Sequence, residues 1–217
     1  MKTLIIIPAY NEARTIASVL KTIPAGSAVL VVDDGSGDTT GQIAAACGAR
    51  VVTHVINRGL GAALRTGFLY AQRFGFDSVI TMDSDGQHTG ADIAAFVTAL
   101  GQGADIIIGR RQANHMPPIR QWYNGLGALL TRILFGSALV DTQSGFRAIS
   151  VSALRRMHLT SSRMEISSEI VAEAHRVHAK VVEIPIQIVY TEYSMSKGQN
   201  LFEGFRTAWR LVLKSFS

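Results

Sequence analysis

The sequence has little with which to staple or anchor itself. One of its 217 residues is a cysteine, Cys47. That excludes an intrachain disulfide and a cysteine-cluster metal site, and it suits a reducing compartment. No uninterrupted apolar run approaches the roughly 18–20 residues of a spanning helix. The apolar patch in the opening "MKTLIIIPAYNE" is too short for a signal peptide. Charged residues make up only 17%, with no Arg/Lys-rich arm and no aromatic-plus-basic sheet motif, which leaves nucleic acid a poor candidate partner. Repeats and low-complexity segments are absent as well. The expectation is a cytoplasmic protein, at most peripheral on the cytoplasmic face of a membrane.

What is there can build a core. The chain is 47% hydrophobic, enough at this length for one globular domain. Its formal net charge of +5 favours anionic ligands, phospholipid surfaces and phosphorylated small molecules among them. Short β-branched runs alternate with longer segments of helical period. "TLIII", "AVLVVD", "RVVTHV", "SVITMD" and "DIIIG" read as strands buried on both faces, because they lack in/out alternation. "EARTIASVLKTI", "DTTGQIAAACG", "GLGAALRTGFLYAQRFG" and "TGADIAAFVTALGQG" carry apolar residues three and four apart and read as helices. This order predicts an α/β fold, Rossmann-like, with a mostly parallel central sheet flanked by helices.

Ligands of such sheets bind beyond the carboxyl ends of the strands. Those ends read "PAYNE", "DDGSGDT", "DSDGQH" and "GRR", so polar residues of both signs collect at one edge. Asp83 and Asp85 flank Ser84, and in extended geometry both carboxylates point the same way. They then form a pair of hard oxygen ligands for Mg²⁺ or Mn²⁺, with Gln87 able to add a carbonyl oxygen. An Asx-type turn with solvated aspartates explains the same residues. Asp33 and Asp34 form an acidic doublet that an ordinary strand–turn–helix junction does not require. Glu12 has a simpler alternative role beside the dipole of the following helix. His88, after a turn, reads as a structural hydrogen-bonder.

Taken together and in order, "PAYNE", "VDDGSGDTT", "NRGLGAALRTGF" and "MDSDGQH" resemble the inverting family 2 glycosyltransferases of GT-A fold. Within these, the chain is most similar to the dolichol- or polyprenyl-phosphate sugar synthases, and "GRR", "DTQSGFR" and "SMSK" extend the likeness. The resemblance implies a single glycosyltransferase domain over 1–217, with a nucleotide-sugar-binding half at 1–111 and an acceptor half at 112–217. It assigns Pro8, Tyr10, Glu12, Asp33 and Asp34 to the base and ribose. Asp83, Asp85 and Gln87 hold Mg²⁺ or Mn²⁺ on the sugar-nucleotide diphosphate, with the Ser84 backbone close by. Arg111 and Arg120 face phosphate or acceptor, and Ser196 with Lys197 stands near the phosphates. The likeness departs at Thr191 and Ser194, where the family often has arginine and glycine.

The implied reaction is a single displacement from a GDP- or UDP-sugar. A polyprenyl phosphate acceptor is already ionised and needs cationic positioning rather than a base. A saccharide hydroxyl needs a carboxylate, for which Glu165 or Glu169 in "MEISSEI" is available. A non-catalytic sugar-nucleotide-binding module working with a membrane partner is a third possibility. Arg111, Arg120 and Arg147 also fit a solvated basic face. The terminal "LFEGFRTAWRLVLKSF" carries a broad apolar stripe that fits either docking on the domain or an interfacial helix.

Overall fold

The computed structural model describes residues 1–111 and 144–188. In chain order these form β1 (Thr3–Ala9), α1 (Ile16–Thr22), β2 (Ala28–Asp33), α2 (Thr40–Ala46), β3 (Arg50–Thr53), α3 (Leu60–Arg73) and β4 (Ser78–Thr81). After a 3-10 turn at Gly90–Asp92 come α4 (Ile93–Gly101), β5 (Ile106–Arg111), β6 (Arg147–Ser150), α5 (Val151–Arg156), α6 (Ile166–Arg176) and β7 (Val181–Ile186). The terminal "LFEGFRTAWRLVLKSF" lies outside the described residues, as do Arg120, Thr191, Ser194, Ser196 and Lys197.

Seven strands make one sheet in the order β3-β2-β1-β4-β6-β5-β7. β1 pairs in parallel with both β2 and β4, and β5 pairs in parallel with β7. β6 alone is antiparallel, inserted between β4 and β5. The absence of in/out alternation in β1 is explained by a core on each face. Leu4 and Ile6 point into one, with α3, α5 and α6. Ile5 and Ile7 point into the other, with α1, α2 and α4. Each fully buried side chain of this size contributes about 1.5–3 kcal/mol.

One strand departs from the expectation. β3 stops at Thr53 and lies at the sheet edge, with Arg50 and Thr53 exposed and Val51 and Val52 half-buried. An edge strand has one neighbour only, so "RVVTHV" is not buried on both faces. At the opposite edge of the described sheet, β7 carries Pro185, which lacks an N–H and is tolerated where no further strand pairs.

Antiparallel β6 has a consequence for the site. Its first residue, Arg147, sits opposite both Thr81 at the end of β4 and Ile108 of β5. The start of β6 therefore meets the carboxyl ends of its neighbours.

Candidate active site

Loops from four strands meet at this edge. The segment after β1 is knitted to the one after β2: Asn11 N donates to Ser36 Oγ at 2.9 Å, and Gly37 N to Asn11 Oδ1 at 2.8 Å. Asn11 takes a positive φ of 56° to do so. Glu12 is buried, with its N–H given to Thr40 Oγ1 at 2.8 Å and its carboxylate accepting from Thr15 Oγ1 at 2.9 Å. Tyr10 is 46% exposed, while Pro8 is buried.

The acidic doublet is internal. Asp33 accepts from Ser36 N at 3.0 Å. Asp34 accepts from Arg58 N at 3.0 Å, Gly59 N at 2.7 Å and His54 Nδ1 at 2.6 Å, so both of its oxygens are engaged. The other ring nitrogen of His54 meets Thr66 Oγ1 at 2.9 Å on α3. Asp34 thus caps the start of α3 from outside the helix, supplying acceptors to backbone N–H groups that no side chain within α3 satisfies. Gly35 makes the crossing possible. Its φ is +72°, and a Cβ there would lie 2.7 Å from the Ile56 carbonyl carbon.

Asp83 and Asp85 lie beyond the end of β4, in a run of bends rather than an extended strand. The same-side argument from strand geometry therefore does not apply, yet the two carboxylates act on each other. Asp85 is pushed above the usual carboxylate range, first by burial and then by the charge of Asp83, with Glu12 adding to it. Its oxygens accept from Gln87 N at 2.9 Å and Gln87 Nε2 at 2.8 Å. This is an Asx-type turn, and the amide nitrogen of Gln87, not its carbonyl, is directed at Asp85. Turn and carboxylate cluster coexist in one loop.

Asp83 has the opposite surroundings. Its desolvation pushes the carboxyl up, but the hydrogen bond and electrostatic pull of His88, and the charges of Arg147 and Arg111, hold it below the usual range. His88 Nε2 stands 3.3 Å from Asp83 Oδ2. The imidazole is buried and stacks on Phe146 at 5.4 Å between ring centroids. Arg147 is 2% exposed, so it is a buried countercharge, not part of a solvated basic face. The sequence names it with Arg111 and Arg120 but gives it no defined role in the site. Gly145 touches Asp83 directly: a Cβ at Gly145 would lie 2.2 Å from Oδ1 and 2.3 Å from Oδ2. Thr81 Oγ1 fixes this turn by donating to the Gly145 carbonyl at 2.7 Å. Ser84 is buried, and Arg111 ends β5 half-buried. A small crevice lined by Pro8, Thr81, Asp83, Gly145, Arg147 and Ser167 opens at this point.

The residues present suit a hard divalent cation. Among the described residues no three His, Cys, Asp or Glu side chains form a ready ligand cage. Mg²⁺-type sites use one or two carboxylates and take further ligands from phosphate and water. The Asp83–Asp85 pair, with the repulsion felt at Asp85, fits that pattern.

Glu169, a candidate base, is committed elsewhere. It accepts from Thr160 N at 3.0 Å, Thr160 Oγ1 at 2.7 Å and Ser161 N at 2.8 Å. The turn it holds braces α3, since Ala62 N donates to Ser162 O at 3.0 Å. Burial raises the carboxyl, but the hydrogen bonds from Thr160 and Ser161 outweigh it and set it low. A depressed carboxylate stabilises the fold above its unfolded-state pKa of about 4.3 and loses that contribution as pH falls through the folded value. Glu169→Ala is therefore expected to cost about 1–2 kcal/mol at pH 7, allowing for partial exposure. The difference in melting temperature should shrink toward pH 3, and a gap that persists there would contradict this role.

Comparison with known proteins agrees with the fold. The family model described as Glycosyl transferase family 2 matches residues 4–158. The UDP-N-acetylglucosamine–dolichyl-phosphate N-acetylglucosaminyltransferase of Methanococcus voltae is 32% identical over 236 residues, covering 96% of this chain and 94% of that protein. The undecaprenyl-phosphate mannosyltransferase of Micrococcus luteus is 32% identical over 214 residues, covering 91% and 87%. Among solved structures, glucosyl-3-phosphoglycerate synthase from Mycobacterium tuberculosis, in complex with Mn²⁺, UDP and glucosyl-3-phosphoglycerate, superimposes with a TM-score of 0.78 at 20% identity. The match covers 99% of this chain and 78% of that one. The shared architecture is the GT-A fold.

Proposed function

Since this chain belongs to glycosyl transferase family 2, we propose that it moves a sugar, with inversion, from a GDP- or UDP-sugar to a polyprenyl or dolichyl phosphate. The observation that carries this reading is the gathering of Asp83, Asp85 and Glu12 at one sheet edge, where burial, with the charges of Asp83 and Glu12, raises the Asp85 carboxyl. Asp83 and Asp85, with Gln87 and Ser84 close by, would hold a Mg²⁺ or Mn²⁺ ion, which would supply charge stabilisation for a diphosphate leaving group. Structures of the mycobacterial synthase hold Mn²⁺ or Mg²⁺ with UDP.

The remaining roles are proposed from the family resemblance. Pro8, Tyr10, Glu12 and Asp33 border the nucleotide. Asp34, its oxygens engaged, acts on that pocket through the Arg58–Gly59 backbone it holds. Arg111 at the end of β5 orients phosphate or acceptor, with Arg120 and Lys197 as further cations from the acceptor half. A phosphate acceptor is ionised at neutral pH and attacks without a general base. The engagement of Glu169 by the 160–161 turn weighs against that residue as the base a hydroxyl acceptor needs. The names of the relatives support a lipid phosphate as acceptor. Among the described residues no helix is long and apolar enough to cross a membrane.

The test is release of nucleoside diphosphate from a panel of UDP- and GDP-sugars with Mn²⁺, with and without short-chain polyprenyl phosphate. Release that depends on the lipid phosphate is the expected result. Release with saccharide acceptors alone would exclude the proposed acceptor, and donor binding without turnover would leave a binding module.

A further inference from the structure

We infer that His88 is a positioning residue, whose imidazole aims the Asp83 carboxylate at the metal and diphosphate. This rests on the metal–diphosphate reading of the acidic turn. His88 is 4% exposed, and its ring lies nearly parallel to Phe146, at 20° between planes. Phe146 in turn packs on Phe96 with centroids 4.7 Å apart. The ring is therefore fixed by two core aromatics, one from the turn before β6 and one from α4. Its backbone is fixed as well, through a bridge to Ile188.

Nε2 lies 3.3 Å from Asp83 Oδ2. A carboxylate only accepts, so Nε2 carries the proton of this contact. Nδ1 is buried without a hydrogen-bond partner among the described residues. A buried polar atom left in that state is destabilising. Phenylalanine would fill the same stack on Phe146 with no orphaned nitrogen. Histidine is therefore not the residue that packing alone selects here, and what it adds is the donor facing Asp83.

That donor matters because Asp83 is open on one side. Its side chain is 37% exposed, Gly145 closes another side by direct contact, and nothing in its own turn resembles the pair of Gln87 bonds that hold Asp85. An aspartate free to rotate loses part of its ligand geometry, and outer partners of ligating groups typically contribute 10- to 100-fold in metal affinity.

The experiment is titration calorimetry of UDP and of GDP in the presence of Mn²⁺, with thermal melting of the same metal-free proteins. His88→Phe is expected to weaken Mn²⁺-dependent binding about 10-fold with a melting temperature close to wild type. His88→Gln, which restores a donor near the Nε2 position, should recover most of that loss. On an Asp83→Asn background, His88→Phe should add no further loss, because its effect runs through Asp83. Should His88→Phe fail to fold, the Gln variant compared with His88→Leu carries the same contrast. A His88→Phe protein that binds as wild type does, or that only melts earlier, overturns the positioning role and leaves the functional reading intact. Wild-type protein that binds neither nucleotide with Mn²⁺ overturns both.

Discussion

Asp85→Asn is expected to remove Mn²⁺-dependent binding of UDP or GDP, with at least about a 100-fold loss of affinity, and to raise the melting temperature of the metal-free protein. The two effects have one cause. Asp85 lies in a partly buried turn beside Asp83 and within reach of Glu12, and its carboxyl is pushed up as a result. Asparagine keeps an oxygen for the Gln87 N–H and so keeps the Asx-type turn, but it drops the charge that a cation needs. The sign of the stability effect follows from linkage. A carboxyl whose folded-state pKa is raised favours the fold below its unfolded-state value of about 3.9 and opposes it as pH rises through the folded value. The advantage of the Asp85→Asn protein should therefore be absent below about pH 4 and grow as pH rises through the folded-state value. Exposure screens the repulsion, and about 1 kcal/mol moves the melting temperature of a domain this size by roughly 2–4 °C, so a rise of about 1–2 °C is expected. On the binding side, protons displace the cation at a higher pH than they would from an ordinary carboxylate. Unchanged nucleotide affinity in this variant would refute the metal assignment.

Gly145→Ala tests the other carboxylate without touching a charged residue. An added Cβ would sit 2.2 Å from one Asp83 oxygen and 2.3 Å from the other, and no real contact is that short. The backbone at 145 is held by the Thr81 hydroxyl and by the pairing of Arg147 with Thr81. The Asp83 side chain is the part that can rotate, so it moves away from His88 and from the field of Arg147. The expected outcome is a 10- to 100-fold loss of Mn²⁺-dependent nucleotide affinity, with about 1–3 kcal/mol of destabilisation, or a melting temperature lower by roughly 2–12 °C. Calorimetry and thermal melting of the purified variant read both. Wild-type affinity would mean that Asp83 is not held as described.

The parts of this molecule visible in sequence were those with local causes. Runs such as "AVLVVD" match β2 residue for residue because strands covered on both faces are written as unbroken apolar segments. The paired acids at the end of β4 were visible for a similar reason, since two carboxylates so close demand an explanation. Non-local facts were hidden. Arg147 follows "QSGF" in a mostly polar stretch and looks like a surface arginine, yet antiparallel pairing carries it under Asp83. His54 is one residue past an edge strand, and only the fold brings it to Asp34 and Thr66. Glu169 was legible as an acid near a helix start, but three donors from residues 160–161 commit it to structure. α5 had a local signal that was overlooked: Ser150 caps it, accepting from Ala153 N at 3.1 Å.

The single reversed strand also sets an order of assembly. As the chain is synthesised, β1 to β4 can pair among themselves, each neighbour being already present. β5 has no such option, because both of its partners, β6 and β7, come later in the chain. It must wait as an unpaired apolar segment until residues 147–150 emerge, the kind of deferred, long-range pairing that slows folding. Gly145 and Arg147 arrive with that strand. The acidic turn is thus made early, and the positive charge and close-fitting glycine that tame it are delivered late. A nascent chain that has only its first four strands carries the carboxylates of the site without Arg147 and Gly145.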